Sequence, residues 1–223
     1  MDFTIRENIY CCGCAGRIIL MDTQADRYFL LPHEVGPAFL RLWNCEPAED
    51  RDQLDLGRLR SAGVVVTGRK APRRDCSLPE IVPPSSELTA IEPIRRRRID
   101  VVCAAAYQLK AWLGIRTRPI VKILADLGPT SSEHPDGSEA ADARLLRIAM
   151  AFRATTGIFR QQDQCLPRSI AFKRMCKAHG VKATLVIGVT LDPFSAHAWV
   201  QSGGRVLNDT LERVRCFTPI FAV

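Results

Sequence analysis

The chain has 223 residues, a formal net charge of +7 at pH 7, 47% hydrophobic and 25% charged residues, which is a globular composition and excludes a disordered or low-complexity chain. Its length allows one large domain or two small ones. No apolar run reaches the ~20 residues that cross a bilayer, and the start, Met1-Asp2-Phe3-Thr4-Ile5-Arg6-Glu7, has no basic segment followed by an apolar core, so the expectation is a cytoplasmic protein with no membrane partner.

In chain order, residues 1–68 predict a small α/β module. Ile5–Cys14 reads as one strand. Arg17–Met21 and Arg27–Leu31 read as a hairpin around the polar turn Asp22-Thr23-Gln24-Ala25-Asp26. Pro32 opens a helix carrying Val35, Phe39, Leu42 and Trp43 at helical spacing. Gln53–Ala62 is a second helix, with Leu54, Leu56 and Leu59 as apolar positions and Gly63 as its stop. Val64-Val65-Val66 closes the module as a short strand.

Residues 69–94 carry Pro72, Pro79, Pro83, Pro84 and Pro93 between polar and basic residues, and read as a semi-rigid linker. The run Arg95–Arg98 is a solvated helix start rather than a binding patch. Residues 95–223 then predict helices over Ile99–Leu113, Pro119–Leu127 and Ala140–Thr156, the last with Ala143, Leu146, Ala149, Met150 and Phe152 toward the core. A helix over Leu166–Ala178 follows Cys165 and ends near Gly180. Val181–Thr190, His197–Gln201 and Arg205–Asn208 read as strands.

Nine cysteines, an odd number, in a chain with no export signal argue for free thiols rather than a disulfide framework. Cys165 stands where loop becomes helix, and the unpaired N–H groups and macrodipole of a helix start favour a thiolate. Pro167 suits that first turn. Of the four histidines, His33, His134, His179 and His197, His179 is too far along the same helix to reach Cys165, whereas His197 begins a strand able to lie beside it and is the best general base. Asp209 follows the turn Ser202-Gly203-Gly204 and the next strand, where a carboxylate would orient the imidazole. Each residue alone has an ordinary structural reading; the order Cys-helix, His-strand, Asp-strand raises the three together to a candidate catalytic triad. Cys11-Cys12-Gly13-Cys14 has no second pair at ligand spacing, so neither a metal nor another cofactor is expected.

The strings Cys165-Leu166-Pro167-Arg168-Ser169, Ala196-His197-Ala198-Trp199-Val200 and Asn208-Asp209, with 32 residues from Cys165 to His197 and 12 from His197 to Asp209, resemble the signature of lasso-peptide leader peptidases, the transglutaminase-like B proteins. Val186-Ile187-Gly188-Val189 is similar to a strand of that family. The resemblance covers roughly residues 95–223. It implies an α+β chain: a transglutaminase-like, papain-like cysteine peptidase domain that hydrolyses the leader–core amide of a ribosomally made lasso precursor. Residues 1–68 look like the recognition element fused to some members, a small winged helix-turn-helix similar to the pyrroloquinoline-quinone chaperone domain.

The family implies that the leader adds a strand to the small sheet and packs on a helix. Here the edge would be Arg27–Leu31 beside the helix Gln53–Ala62, with Arg27, Tyr28, Phe29, Leu31, Arg58 and Arg60 as contacts. An oxyanion hole would take the Cys165 N–H and a side-chain amide from Gln161, Gln162 or Gln164. An asparagine-synthetase-like lasso cyclase is the implied partner. Two other readings compete: a transglutaminase-fold acyltransferase, and a non-catalytic peptide- or DNA-binding winged-helix protein. Asp52 and Asp55 at the start of the second helix argue against nucleic acid.

Overall fold

The computed structural model describes residues 3–68, 81–88, 97–128, 139–156 and 164–223, and the chain divides into two units, Met1–Leu78 and Pro79–Val223. In the first, the alternation of β2 (Ile9–Cys14) turns Ile9 and Cys11 to the core, where they meet Leu20 of β3 (Arg17–Asp22) and Leu31 just beyond β4 (Arg27–Leu30). The three strands form an antiparallel sheet in the order β2-β3-β4, with Ile19 opposite Leu30 and Asp22 opposite Arg27. The hairpin turn is closed by Asp22, whose Oδ1 accepts the N–H groups of Gln24 and Ala25 at 3.1 and 3.0 Å.

The single strand expected over Ile5–Cys14 is in fact two. Asn8 adopts φ 67°, a left-handed conformation that asparagine tolerates. The break separates β1 (Phe3–Ile5) from β2, and β1 pairs instead with β5 (Val65–Thr67). A 3₁₀ turn, His33–Val35, leads into α1 (Gly36–Trp43), and α2 (Asp52–Ser61) ends before Gly63 at φ 73°. Arg41 of α1 grips Asp52 of α2 through a 2.8 Å bond from Nε and an ion pair. Of the three apolar positions read in this helix, Leu56 and Leu59 are buried, whereas Leu54 is 80% exposed and belongs to the solvent face.

The second unit has a five-stranded sheet in the order β10-β7-β8-β9-β6, formed by β6 (Ser86–Glu87), β7 (Thr184–Thr190), β8 (Ser195–Ser202), β9 (Arg205–Val206) and β10 (Thr218–Ala222). All neighbours are antiparallel except β6 and β9. The near-continuous apolar run of β7 follows from its interior place, buried on both faces. Helix α6 (Cys165–Ala178) packs on β7, β8 and α3 (Arg98–Thr117), and α5 (Glu139–Ala154) packs on α3 and α6. The short α4 (Ile120–Ala125) follows α3, and α7 (Leu211–Arg215) follows β9. Asp100 of α3 and Arg147 of α5 are paired at 3.0 Å. No helix among the described residues is long and apolar enough to cross a membrane.

Two further expectations change. Residues 81–88, assigned to a linker, lie along the second unit's sheet and contribute its strand β6. Gly204 O accepts from Ser85 N at 2.8 Å, Val206 O from Leu88 N at 2.8 Å, and Val82 O from Gln201 Nε2 at 2.8 Å. Glycine at 204 permits this close approach, since a Cβ there would lie 2.7 Å from Ser85 Oγ and 3.1 Å from Pro83 O. In α5 the buried face is Leu145, Ile148, Ala149 and Phe152, whereas Ala143 is exposed and Leu146 and Met150 only half-buried. The expected stripe is rotated because small and long apolar residues surround the helix almost evenly, and Phe152 against Phe172, centroids 5.0 Å apart, sets its rotation.

Candidate active site

Cys165 is the first residue of α6 and is half-buried. The Leu166 N–H, one of the unpaired donors of the first turn, points at its sulfur, as does the Ala198 N–H from β8. Burial pushes the thiol up, but the hydrogen bond with His197 and these two backbone donors outweigh it, so its pKa lies below the ordinary thiol value. Cys176, three turns along the same helix, lacks that setting, and burial raises it to about 12. Cys12 in β2 is likewise raised to about 12 by burial and by Cys14 nearby. Of these three thiols, the helix-start one is biased toward thiolate.

His197 sits inside β8 opposite Gly188 of β7 and is 4% exposed. Its Nε2 is 2.5 Å from Asp209 Oδ2, which leaves Nδ1 for the thiol. Burial disfavours the imidazolium, but the hydrogen bonds with Asp209 and Cys165 and their charges raise its pKa to about 9. Asp209 is held below the ordinary carboxylate range: burial opposes this, and His197 and the Thr210 N–H, 2.8 Å from Oδ1, prevail. The pairing therefore shifts all three groups toward their charged forms, thiolate, imidazolium and carboxylate. The structure brings Cys165, His197 and Asp209, the three residues singled out in the sequence, into one hydrogen-bonded row.

Several supports were not read from the sequence. Asn208 Oδ1 accepts the Val200 N–H at 2.7 Å, and its Nδ2 donates to Ser169 Oγ at 2.9 Å. Ser169 in turn donates to Ala198 O at 2.9 Å. This chain ties α6, one turn past Cys165, to the strand of His197 and to the residue before Asp209. Its signal was a serine on the same helical face as Cys165, at i+4. Glu87 Oε2 accepts the Leu211 N–H at 2.6 Å, anchoring the segment after Asp209. The rings of Phe217 and Trp199 lie 5.0 and 6.3 Å from the His197 ring. Gly188 makes room for them, because a Cβ there would come within 2.9 Å of both side chains. Arg168 braces the end of α5 by donating to Phe152 O at 2.9 Å and Thr156 Oγ1 at 3.2 Å.

Of the oxyanion candidates, Gln161 and Gln162 lie outside the described residues. Gln164 precedes α6 and its side chain makes no capping bond. In the first unit β4 is an edge strand of its sheet. Arg27 and Tyr28 lie on it. The Arg27 guanidinium stands over the Phe29 ring at 5.4 Å and 3.8 Å from Asp22. Phe29 packs against the core, and Leu31 is 4% exposed within it. Leu31 also borders a groove of about 210 Å³ with Ile18, His33 and Leu40, next to α1. Arg60 is exposed, and Arg58 is paired with Asp55 at 3.1 Å. No group of three or more His, Cys, Asp or Glu side chains suited to a metal occurs among the described residues.

Residues 105–222 match the transglutaminase-like superfamily model. Over 48 residues the chain is 46% identical to the microcin J25-processing protein McjB of Escherichia coli, a stretch that is 22% of this chain and 23% of that protein. The match thus spans about a quarter of that relative's length. No solved structure matches the chain.

Proposed function

The chain belongs to the transglutaminase-like superfamily, and from that premise we propose that it is a cysteine peptidase of lasso-peptide maturation, which cleaves the leader from a ribosomally made precursor in the cytoplasm. The observation that carries the reading is the row Cys165–His197–Asp209, with its thiol biased to thiolate and its imidazole charged. The 46% identity to a protein named for processing microcin J25 supports the substrate class.

In this mechanism the Cys165 thiolate attacks the scissile carbonyl carbon. The backbone N–H of Cys165 and a glutamine amide, from Gln161, Gln162 or Gln164, receive the oxyanion. His197 gives its proton to the leaving amine as the C–N bond breaks, and a thioester to the leader remains. His197, now neutral, takes a proton from water, the hydroxide displaces the thioester, and Cys165 is regenerated. Asp209 keeps the ring oriented and its charge compensated throughout.

The first unit would supply the leader site. In this reading its two helices and small sheets would serve as a winged helix-turn-helix recognition element, and the outer side of β4, an edge strand, would offer backbone groups to an added strand. Arg27, Tyr28, Phe29 and the groove beside Leu31 would read the leader's side chains, with Arg58 and Arg60 on α2 as further contacts. An asparagine-synthetase-like cyclase would receive the freed core peptide.

The test is mass spectrometry of the precursor peptide incubated with the wild-type chain and with Cys165→Ala. Cleavage at one bond by the wild type alone is the expected result. Equal cleavage by both removes Cys165 from the mechanism. Transfer of the leader to an added amine in preference to water makes the protein an acyltransferase instead.

A further inference from the structure

The C-terminal half of α6 carries a second charged cluster, apart from the row at its N-terminus. Lys173 is eight residues beyond Cys165, ~12 Å along the helix axis. It is 5% exposed, and its Nζ is buried with no hydrogen-bond partner. An ammonium group without a partner is costly to bury, so such groups are ordinarily paired. Burial, with the charge of Lys177 close by, draws the Lys173 pKa down to about 8, which still leaves it mostly protonated at neutral pH.

Lys173 borders a surface pocket of about 360 Å³ that Lys177 and Lys182 also line. Lys173 and Lys177 are four apart on α6 and share a face, where like charges repel. Lys177 Nζ is 3.5 Å from Leu127 O, longer than a good hydrogen bond. It lies beside the turn at Gly128, where a Cβ would come within 3.4 Å of it. Among the described residues that line it there is no Asp or Glu side chain. Asp126, two residues before Gly128, is already paired with Arg118 at 2.8 Å.

We propose that this pocket is a binding site for a phosphate-class oxyanion, with Lys173, Lys177 and Lys182 as its cationic walls. A multivalent tetrahedral anion fits better than a carboxylate, since it carries two or more negative charges and acceptors on several sides for ammonium groups from three positions. The site stands on the helix that bears Cys165, but its existence does not depend on the peptidase reading.

The test is the melting temperature of the full chain titrated with inorganic phosphate and with pyrophosphate, against sodium chloride and acetate at matched ionic strength. A rise with phosphate or pyrophosphate, above both controls, is expected. Lys173→Met is expected to melt at or above wild type without anion, because it removes an unpaired buried charge. It should lose about tenfold or more of the anion affinity, the share of one charge-assisted hydrogen bond. Lys177→Met, at the more open wall, is the second variant and should also weaken the response. An equal response in both variants, an acetate response as large as that to phosphate, or no response in wild type would overturn the proposal.

Discussion

Asp22 in the first unit and Asp209 in the second are both carboxylates held below their usual range against the effect of burial, yet their partners differ in kind. Asp22 takes two backbone N–H groups and the guanidinium of Arg6, a cation that does not titrate in the working range. Its role ends with the hairpin turn it closes. Asp209 faces an imidazole, which faces a thiol, so each proton that moves changes the charge of the next group. The same cost of burial yields a fixed strut in one unit and a poised acid–base row in the other. The difference lies in whether the partner can give up its proton.

Asp209→Asn is the sharpest way to break that contrast. It keeps the shape but not the charge, and kcat for leader cleavage should fall on the order of 10³-fold or more; steady-state kinetics on the precursor measures it. The pH profile sharpens the same point. His197 is raised to about 9, so the stability from its charged form is full below its unfolded value of about 6.5 and is lost as pH rises through about 9. The alkaline limb of kcat/KM should fall near pH 9, and the melting temperature should decline across the same window. The Arg6–Asp22 pair has the opposite sign: its contribution is present above the ordinary Asp value of about 3.9 and is lost as pH falls.

Asn208→Ala removes the link from Ser169 to Val200 without touching a reacting atom. Cleavage should drop by roughly ten- to a hundredfold and stability by about 1–3 kcal/mol, the cost of leaving buried partners unsatisfied; kinetics and a urea melt read the two effects. Asp22→Ala is the counterpart in the first unit. It should cost a similar ~1–3 kcal/mol in the melt while kcat stays within about twofold. A large loss of kcat there would overturn the division of roles. The smallest effect is expected from Arg27→Glu on β4. Affinity for a labelled leader peptide, read by fluorescence anisotropy, should weaken roughly two- to fivefold, as for an exposed charge, with kcat unchanged.

The row of Cys165, His197 and Asp209 was legible because each member is announced locally: a thiol at a loop-to-helix boundary, a histidine in a β-prone run, an acid just past a glycine turn. The hairpin at Asp22 and the stop at Gly63 were legible for the same reason, since turn chemistry is written in adjacent residues. Segment 81–88 was not. Its prolines read as linker, and β6 is two residues long, held by Gly204, Gln201 and Val206, more than a hundred positions away. The exposure of Leu54 was not legible either, because a short helix with apolar residues at 54, 56 and 59 does not by itself reveal which face meets the core.

Residue types and spacing alone therefore determined the candidate nucleophile, base and orienting acid and most helix and strand positions, because these depend on neighbours within a few residues, while the α+β class followed from the family resemblance. Tertiary structure decided the rest. It turned α5 by packing Phe152 on Phe172 and set Asn208 between α6 and β8. It cleared space at Gly188 for Trp199 and Phe217, and gathered three lysines around one pocket. These are contacts between distant segments, and their energies come from burial and hydrogen-bond satisfaction that exist only once the chain is folded.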